Sequence, residues 1–576
     1  MKRILAGVTG LIIFGYSIHT GMTYSPEGSD EGATTSILIK TDNQEYQDEW
    51  HTPFVKGKTV MLIPLDNRPV NQYVPEQIAG SGAINLMTPP AWMLGDLQHS
   101  GMSDEIMTWL VKHADQVDAF IISADMLVYG GLVASRSNES INQEEALERL
   151  KVIEEIKKTH PETPIYVFDT ILRQTITTKS ESQIDDYHQV AKWGQLYDRV
   201  YRKGEQSLEK ELKQLEKEIP GKILDSYIKA RERNFVINQK LIDLVSYGII
   251  DFLLFGQDDA SGYGLHQLEQ ERLTDEVEKR ELEEKIMMLA GADELDVLLL
   301  SRYYNVLYHL SPSFYIDYTT VDGPEWTSRY EDIPLKENIQ KHVKVINGTI
   351  TKKEEQAEFH LVVQTNKVDE TLPSFNRNAV IQLIKEKLDK QYHVIFVDVV
   401  NHKSDSDMFK LLLDNDLLLS MQSYAAWNTP GNTIGLAISH SSIRQVFVRK
   451  AYESLTVDDQ QETYKYHYQY LLHRYLKDHY YKNHIVSSLR TKLSKTSIDE
   501  WNLGESERLV LDYVQKQFEN DIKELTPSFM SEIATLPGSK EDLTISIKEI
   551  PFIVISSPWN RLFELEIRPN VIINIQ

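Results

Sequence analysis

The feature that most constrains the fold is a series of short apolar runs that alternate with helix-like segments along residues 58–446. A short apolar run between turn signals is typical of a strand buried on both faces. Such alternation predicts an α/β fold with a mostly parallel sheet, either open or closed into a (β/α)8-like barrel. Eight or nine runs favour the barrel as the catalytic domain. The predicted strands are Val60–Leu65, Ala83–Met87, Ala119–Ser123, Ile165–Phe168, Phe252–Phe255, Val297–Leu300, His360–Val363, Val394–Val397 and Leu417–Met421.

The N-terminus predicts export. Lys2 and Arg3 precede an apolar run from Ile4 to about Ile18, which is the layout of a secretory signal. The run is short for a spanning helix, and no clear small-residue cleavage site follows it. Residues 1–22 are therefore interpreted as a signal peptide or a membrane anchor, and the polar residues 23–57 as a flexible linker. We expect an extracytoplasmic protein, secreted or attached to the outer face of the cell membrane.

Beyond residue 446 the sequence changes character. Residues 447–535 are rich in Tyr, His, Lys and Leu and predict a helical domain, and residues 536–576 predict a small β element. Metal ligands on one helix face need a spacing of four residues. The histidines of this region are His467, His473, His479 and His484, with spacings of six, six and five residues. These spacings predict a packed or solvated helix instead of a metal site.

Charge and composition exclude several classes of protein. The formal net charge is -25, and an acidic surface of this kind repels nucleic acid. The chain has no Cys, which excludes disulfides, thiolate catalysis and Cys-ligated zinc. Neither a G-x-G-x-x-G pattern nor a Gly-Lys-Ser/Thr ending follows a strand, so no nucleotide cofactor is expected, and no metal is assigned.

The candidate catalytic residues follow the predicted strand Phe252–Phe255. The segment continues Gly-Gln-Asp-Asp-Ala-Ser-Gly-Tyr-Gly, so that Asp258 and Asp259 stand where ligands bind in α/β proteins. Two adjacent acids can hold different protonation states, which acid/base hydrolysis requires. We expect Asp259 to act as general acid and Asp258 to orient or stabilise the reacting group, although the order could be reversed. Tyr263 would bond or stack on the substrate.

Other predicted strands also end in polar residues that point to sugar binding. The carboxyl ends of parallel strands share one rim, so their carboxylates are expected to converge. Arg68 could keep Asp66 ionised or grip a ligand with its fork of donors. An aromatic face packs against a pyranose while amides bond its hydroxyls, as in the Trp427–Asn428 segment. The predicted substrate-binding residues are Asp66, Arg68, Asp125, Asp169, Tyr263, Arg302, Asp398, Trp427 and Asn428.

Four motifs in order resemble the bacterial family DUF4127, a domain of unknown function. They are Pro-Leu-Asp-Asn-Arg-Pro near residue 66, Gln-Asp-Asp-Ala-Ser-x-Tyr-Gly near residue 258, Trp-Asn-Thr-x-Gly-Asn-Thr-Ile-Gly near residue 428, and Pro-Trp-Asn-Arg-x-Phe-Glu at residues 558–564. The resemblance spans roughly residues 58–576 and implies no activity and no catalytic residues.

The leading hypothesis is a glycoside hydrolase that cleaves a cell-envelope or extracellular polysaccharide or oligosaccharide by paired-Asp acid catalysis, with substrate assistance on 2-acetamido sugars as one route. One alternative is a metal-dependent deacetylase or phosphoesterase. Its ligands would come from Asp66, Asp258, Asp398, His266, His402 and His440. The other alternative is a non-catalytic glycan-binding envelope protein. The sequence leaves the sugar, the linkage and the oligomeric state open.

Overall fold

The computed structural model describes residues 38–41, 53–137, 141–400, 403–451, 455–530, 532–535 and 544–575. The strands are β1 Leu38–Lys40, β2 Lys58–Ile63, β3 Ile84–Met87, β4 Ala119–Ser123, β5 Ile165–Ile171, β6 Phe252–Gln257, β7 Ile286–Ala290, β8 Ser313–Tyr318, β9 Thr349–Ile350, β10 Phe359–Gln364, β11 His393–Asp398, β12 Ser423–Ala425, β13 Glu532–Thr535, β14 Thr544–Glu549, β15 Phe552–Ser556, β16 Glu566–Pro569 and β17 Ile572–Ile575.

Helices connect most of these strands. They are α1 Tyr73–Ser81, α2 Ser103–His113, α3 Ala124–Tyr129, α4 Leu132–Ser135, α5 Gln143–Arg149, α6 Lys151–Thr159, α7 Ile184–Tyr201, α8 Glu209–Glu218, α9 Gly221–Ser246, α10 Leu265–Lys279, α11 Leu295–Leu307, α12 Leu335–Val345, α13 Arg377–Asp389, α14 Ser406–Asp414, α15 Pro430–Val446, α16 Val457–Arg474, α17 Val486–Leu493 and α18 Glu507–Phe529. Two π-helical segments, Phe447–Ala451 and Tyr475–Ile485, continue α15 and α16.

The first sheet is parallel and open, with the strand order β3-β2-β4-β5-β6-β7. Every residue of β4, β5 and β6 is buried. Their continuous apolar sequences therefore reflect a sheet covered on both faces. Because β2 is flanked by β3 and β4, the connections diverge there, and the carboxyl ends of β2 and β4 open a crevice of the kind in which α/β proteins bind ligands.

The second sheet is also parallel, with the order β12-β11-β10-β8-β9. Helix α11 contacts β4, β5 and β6 of the first sheet and also α15, which in turn contacts β11 and β12 of the second sheet. These two helices therefore connect the sheets. One apolar core runs through both sheets and the helices near the C-terminus.

The barrel expectation is not confirmed, because the sheets of the described residues are open and none of them closes on itself. The strand predicted at Val297–Leu300 is wrong, since these residues lie in α11 and are buried all round. The strand predicted at Leu417–Met421 is also wrong: this run forms turns, and the strand β12 begins at Ser423. A short apolar run cannot be assigned to strand or helix by periodicity alone.

Side chains of α16 and of the π-helical segment after it hold the C-terminal arm, which we define as residues 557–575. Donor side chains about four residues apart on the helix reach carbonyls about two residues apart on the arm. Four residues of helix and two residues of extended chain both cover roughly 6 Å, so successive donors and carbonyls stay in step. The hydrogen bonds run from Gln469 to the carbonyl of Pro569 (2.7 Å), His473 to Ile567 (2.7 Å), Lys477 to Leu565 (2.5 Å), Tyr481 to Leu562 (2.7 Å) and Lys482 to Phe563 (2.8 Å). This antiparallel ladder fixes the position of the arm.

The helical region and small strands predicted after residue 446 are present, as α16 to α18 and β13 to β17. Ile37–Gln576 form one compact unit, and the predicted boundaries at 446 and 535 stay predictions. Three residues of the predicted linker, Leu38–Lys40, form β1 and pair with β15. The predicted signal or anchor at residues 1–22 lies outside the described residues. None of the described helices is long and apolar enough to cross a membrane.

Candidate functional site

Two adjoining chambers lie at the carboxyl ends of the first sheet. The first chamber has a volume of about 410 Å³ and is lined by Asp258, Asp259 and Asp293. The second chamber, of about 520 Å³, is lined by Asp66 and by residues 130–131 at the β2–β4 crevice. The side chains that line both chambers are Leu97, Leu132, Val133, Arg136, Thr177 and Trp559. The chambers therefore form one cleft with a junction, and we refer to these six residues as the junction.

Glycine makes the wall of the second chamber possible. Gly130 ends α3 at a φ of 84°, and Gly131 follows at a φ of 113°. Side chains rarely adopt these left-handed values, so the sequence Gly130-Gly131 meets the backbone requirement of this turn. The amide of Gly131 donates to the carbonyl of Asp125 (3.0 Å), which closes the turn against the strand end.

Asp258 pairs with Arg136 at the base of the first chamber. Arg136 donates to Oδ2 of Asp258 and, at 2.9 Å, to Oγ1 of Thr177. Burial alone would raise the pKa of Asp258, but the charges of Arg136 and Arg173 outweigh it and lower this pKa. Asp258 is therefore an ionised carboxylate at neutral pH, held in a nearly closed environment with its side chain 9% exposed.

Asp259 occupies a more open position beside Arg173. The guanidinium of Arg173 donates to Oδ2 of Asp259 and to the hydroxyl of Tyr187 (3.2 Å). Burial alone would lower the pKa of Arg173, but the carboxylates of Asp259 and Asp258 raise it. The backbone of Asp259 has a φ of 29°, which is unusual for a residue other than glycine, and its side chain is 27% exposed.

Arg68 connects two carboxylates of different strand ends. Its Nε lies 2.8 Å from Oδ2 of Asp66, and its Nη2 lies 2.6 Å from Oδ1 of Asp293. Burial lowers the pKa of Arg68, but the charges of Asp293 and Asp66 more than reverse this. Burial raises the pKa of Asp293 to about 6 against the opposing effect of Arg68. Arg68 thus joins the carboxylates of two strand ends; the two roles expected from the sequence, keeping Asp66 ionised and gripping a ligand, stay predictions.

The C-terminal arm supplies an aromatic wall. The ring of Trp559 lies between two guanidinium groups, with Arg68 at 5.2 Å and Arg561 at 4.8 Å from its centroid. Trp501 lies 5.9 Å from the guanidinium of Arg561 and lines the first chamber with it. Glu564 pairs with Arg561 and keeps the arm charge-balanced. The sequence motif at residues 558–564 was the signal for this wall, but it was not recognised as part of the site.

Asp125 and Asp169 lie beneath the cleft and do not line it. They are fully buried, and Oδ2 of Asp125 accepts from the amide of Thr170 (3.0 Å) while Oδ2 of Asp169 accepts from Asn238 (2.7 Å). Burial raises the pKa of Asp125 to about 6, and burial together with the charge of Asp125 raises that of Asp169. These two residues are therefore placed to support the strand ends rather than to touch a ligand.

The predicted amide and aromatic residues reach the cleft only in part. Asn428 lines the first chamber in a left-handed conformation with a φ of 63°. Trp427 is buried next to it and faces a separate small cavity. Tyr263 is 42% exposed and stacks under Arg199 outside both chambers.

Arg302 and Asp398 lie away from the cleft. Arg302 belongs to α11, where its guanidinium covers the ring of Phe252 and donates to the carbonyl of Val345 (2.9 Å). Asp398 ends β11 of the second sheet and accepts from the amide of Asp405 (2.5 Å). The expectation that all strand-end acids share one basin fails for Asp398 because its strand belongs to another sheet.

The ligands of the metal-hydrolase alternative are not gathered. His266 bonds to the carbonyl of Ser261 (2.9 Å), and His440 lies 3.0 Å from the ring nitrogen of His467. His402 is outside the described residues. Among the residues that the structure describes, no group of three or more His, Asp or Glu side chains could hold a metal ion.

Sequence reasoning missed several residues of the cleft, among them Arg136, Arg173, Asp293, Trp501, Trp559 and Arg561. Comparison with curated proteins gives no match. The model of the family described as "Protein of unknown function (DUF4127)" matches residues 60–568, a range that includes every residue that lines the two chambers. The chain belongs to the DUF4127 family.

Proposed function

We propose that this protein is an exported glycoside hydrolase that acts on a cell-envelope or extracellular polysaccharide, with its reacting centre in the first chamber. The observation that supports the proposal best is the presence of Asp258, Asp259 and Asp293 on one cavity, in different ionic surroundings. Glycoside hydrolysis needs one ionised carboxylate and one that carries a proton. Asp258, whose pKa is lowered, and Asp293, whose pKa is raised to about 6, meet this need within one cavity.

Asp258 is the ionised partner in this mechanism. The charges of Arg136 and Arg173 lower its pKa, so that it can stabilise or attack the positive anomeric carbon of the transition state. The proton for the leaving oxygen comes from a neighbour. Asp259 was the expected donor from the sequence, and Asp293, whose pKa is raised to about 6, is a second candidate on the same cavity.

The surroundings suit a neutral, hydroxyl-rich ligand. Each guanidinium of the first chamber is matched by an acid: Arg68 by Asp66 and Asp293, Arg136 by Asp258, Arg173 by Asp259, and Arg561 by Glu564. Sugar hydroxyls both donate and accept, so they can bond to both members of such pairs. Aromatic side chains of the chamber, such as Trp501 and Tyr187, provide faces for the apolar side of a pyranose ring.

The first test measures reducing ends released from purified wall glycan. We expect Asp258→Asn to lose activity by about a hundredfold or more, as removal of an essential charged group typically does. Asp198→Asn is the matched control, because Asp198 is also buried and pairs with Arg202 but lines neither chamber. Saturable glycan binding with no release by the wild type would contradict the proposal and favour a glycan-binding protein.

A second test identifies the proton donor. The leaving group of an activated aryl glycoside departs without being protonated. A variant that lacks the acid should therefore still hydrolyse the aryl glycoside but lose activity on the natural glycan. We expect Asp259→Asn to show this split and Asp293→Asn to show it only if Asp293 is the donor. If neither variant shows the split, the acid assignment is wrong.

The export part of the proposal depends on Lys2, Arg3 and the apolar run that follows. Fractionation of cells that express the full chain tests it. We expect the protein in the medium or on the outer face of the membrane, accessible to added protease. Recovery in the cytosol alone would contradict export.

A further inference from the structure

The junction between the two chambers carries two buried donors with no acceptor. Nε of Arg136 and Nε1 of Trp559 have no hydrogen-bond partner among the described residues. The side chain of Arg136 is 8% exposed and Trp559 is 5% exposed. A buried N–H without a partner typically costs about 1–3 kcal/mol, so such a group commonly indicates a missing ligand or water.

The two residues that carry these donors, Arg136 and Trp559, line both chambers. A ligand confined to one chamber would face them from one side only. A chain that passes from the first chamber into the second carries ring, hydroxyl and glycosidic oxygens through the junction, and these oxygens can accept from both groups.

The second chamber has the polar surface that such a chain requires. Asp96, Gln98, His99, Lys179 and Gln183 line it, together with the glycine turn at residues 130–131. None of these residues belongs to the proposed reacting centre. The second chamber, at about 520 Å³, has a larger volume than the first chamber, at about 410 Å³. Ligand sites of drug-sized molecules span about 300–1,000 Å³, so each chamber has room for at least one sugar unit.

We propose that the second chamber is a subsite for further sugar units, so that the protein acts on a chain that spans the junction rather than on a terminal sugar held in one chamber. Arg136 and Trp559 bind the chain where it crosses. This inference rests on the proposed glycoside hydrolase function and adds the size of the substrate to it. The hydrolysis step itself is unchanged: the acid protonates the leaving oxygen as the glycosidic C–O bond breaks, the oxygen of water forms the new bond to the anomeric carbon, and the proton that this water releases restores the acid.

The test uses sized fractions of purified wall glycan, from disaccharide to octasaccharide. We expect kcat/KM to rise by about tenfold or more between the disaccharide and the tetrasaccharide, because each tenfold corresponds to the binding free energy of one good subsite, and then to level off. Ser226 lines the second chamber, and Ser226→Trp would fill it. In this variant we expect kcat/KM for the longer fractions to fall toward the value for the disaccharide.

Ser487→Trp is the matched control, because Ser487 is exposed on α17 and lines neither chamber. Should Ser226→Trp fail to fold, Lys179→Ala removes a second-chamber side chain without adding volume and is expected to flatten the length dependence. Equal kcat/KM for all fractions, or an unchanged length profile in both variants, would overturn the subsite while leaving the hydrolase proposal intact. No release from any fraction would overturn the hydrolase proposal and the subsite with it.

Discussion

The guanidinium of Arg68 donates to both carboxylate oxygens of Asp293, a residue 225 positions away in the chain, at 3.1 Å and 2.6 Å. The same guanidinium also bonds to Asp66. In the first sheet, β2 lies next to one edge strand and β7 is the strand at the opposite edge. One side chain therefore joins the loops that follow these two distant strands. Trp559 covers the face of this guanidinium and brings the C-terminal arm to the same point.

Removal of Arg68 leaves two buried acids without their partner. We expect Arg68→Met to lower the free energy of unfolding by about 3–5 kcal/mol, the range seen when one member of a buried pair is removed. Urea unfolding followed by circular dichroism measures this. Adding Asp293→Asn to the variant should recover part of the loss, because it removes one of the stranded charges.

Arg280 is a suitable control for this experiment. It pairs with Asp243 and Glu276 at the surface, where its side chain is 34% exposed. Arg280→Met should change the free energy of unfolding by less than about 1 kcal/mol. A similar, small effect of both substitutions would contradict a joining role for Arg68.

Arg136 should set the acidic limb of the pH–rate profile. Its charge holds down the pKa of Asp258, and the proposed mechanism needs Asp258 ionised. Arg136→Met should raise that pKa, so activity should disappear at a higher pH on the acidic side than in the wild type. Arg280→Met should leave the profile in place, and an unmoved acidic limb in Arg136→Met would show that Asp258 is not the ionised group.

Asp398 should make the fold less stable as the pH rises. Burial raises its pKa from 3.8 to about 7, so between these values the native state binds a proton that the unfolded state releases. Stability therefore falls as the pH rises from about 4 to about 7. Asp398→Asn should remove this contribution and change the slope of unfolding free energy by up to about 1.4 kcal/mol per pH unit.

Asp407→Asn is the control for that slope, because the side chain of Asp407 is 81% exposed. Its curve of unfolding free energy against pH should parallel the wild type. If the Asp398→Asn curve is also parallel between pH 4 and 7, then Asp398 titrates normally in the folded protein.

The ladder that holds the C-terminal arm should be measurable by hydrogen exchange. In Lys477→Met the carbonyl of Leu565 loses its donor, and one lost hydrogen bond of about 1 kcal/mol should speed amide exchange in residues 562–567 by about fivefold. Lys492→Met, on the exposed face of α17, should leave exchange there unchanged. Unchanged exchange in Lys477→Met would mean that other contacts fix the arm.

The parallel strands of the first sheet could be predicted because burial on both faces leaves a readable apolar run. Ala119–Ser123 was predicted with the bounds that the structure has. The same rule misassigned Val297–Leu300, since α11 packs between the first sheet and α15 and is therefore buried all round. The barrel failed because the later strands hydrogen-bond to one another and form a sheet of their own, which no local pattern records.

The site could be predicted only where chemistry and strand ends coincide. Asp66, Asp258 and Asp259 lie within three residues of a strand end and do line the cleft. Arg136 stands 122 residues before its partner Asp258, and nothing local links the two. The arm with Trp559 reaches the cleft through hydrogen bonds to its backbone carbonyls, which every sequence possesses, so its position could not be read from side-chain types.

The cleft is lined by residues that lie far apart in the chain, with Asp66 and Arg68 early in the described residues and Trp559 late in them. During synthesis, about 490 residues therefore separate the appearance of the first wall from that of the last. A ribosome-bound chain that already contains both large sheets still has a cleft open on one side. Whatever this protein binds, it can bind it in full only after Trp559 has been synthesised and the arm has folded onto the cleft.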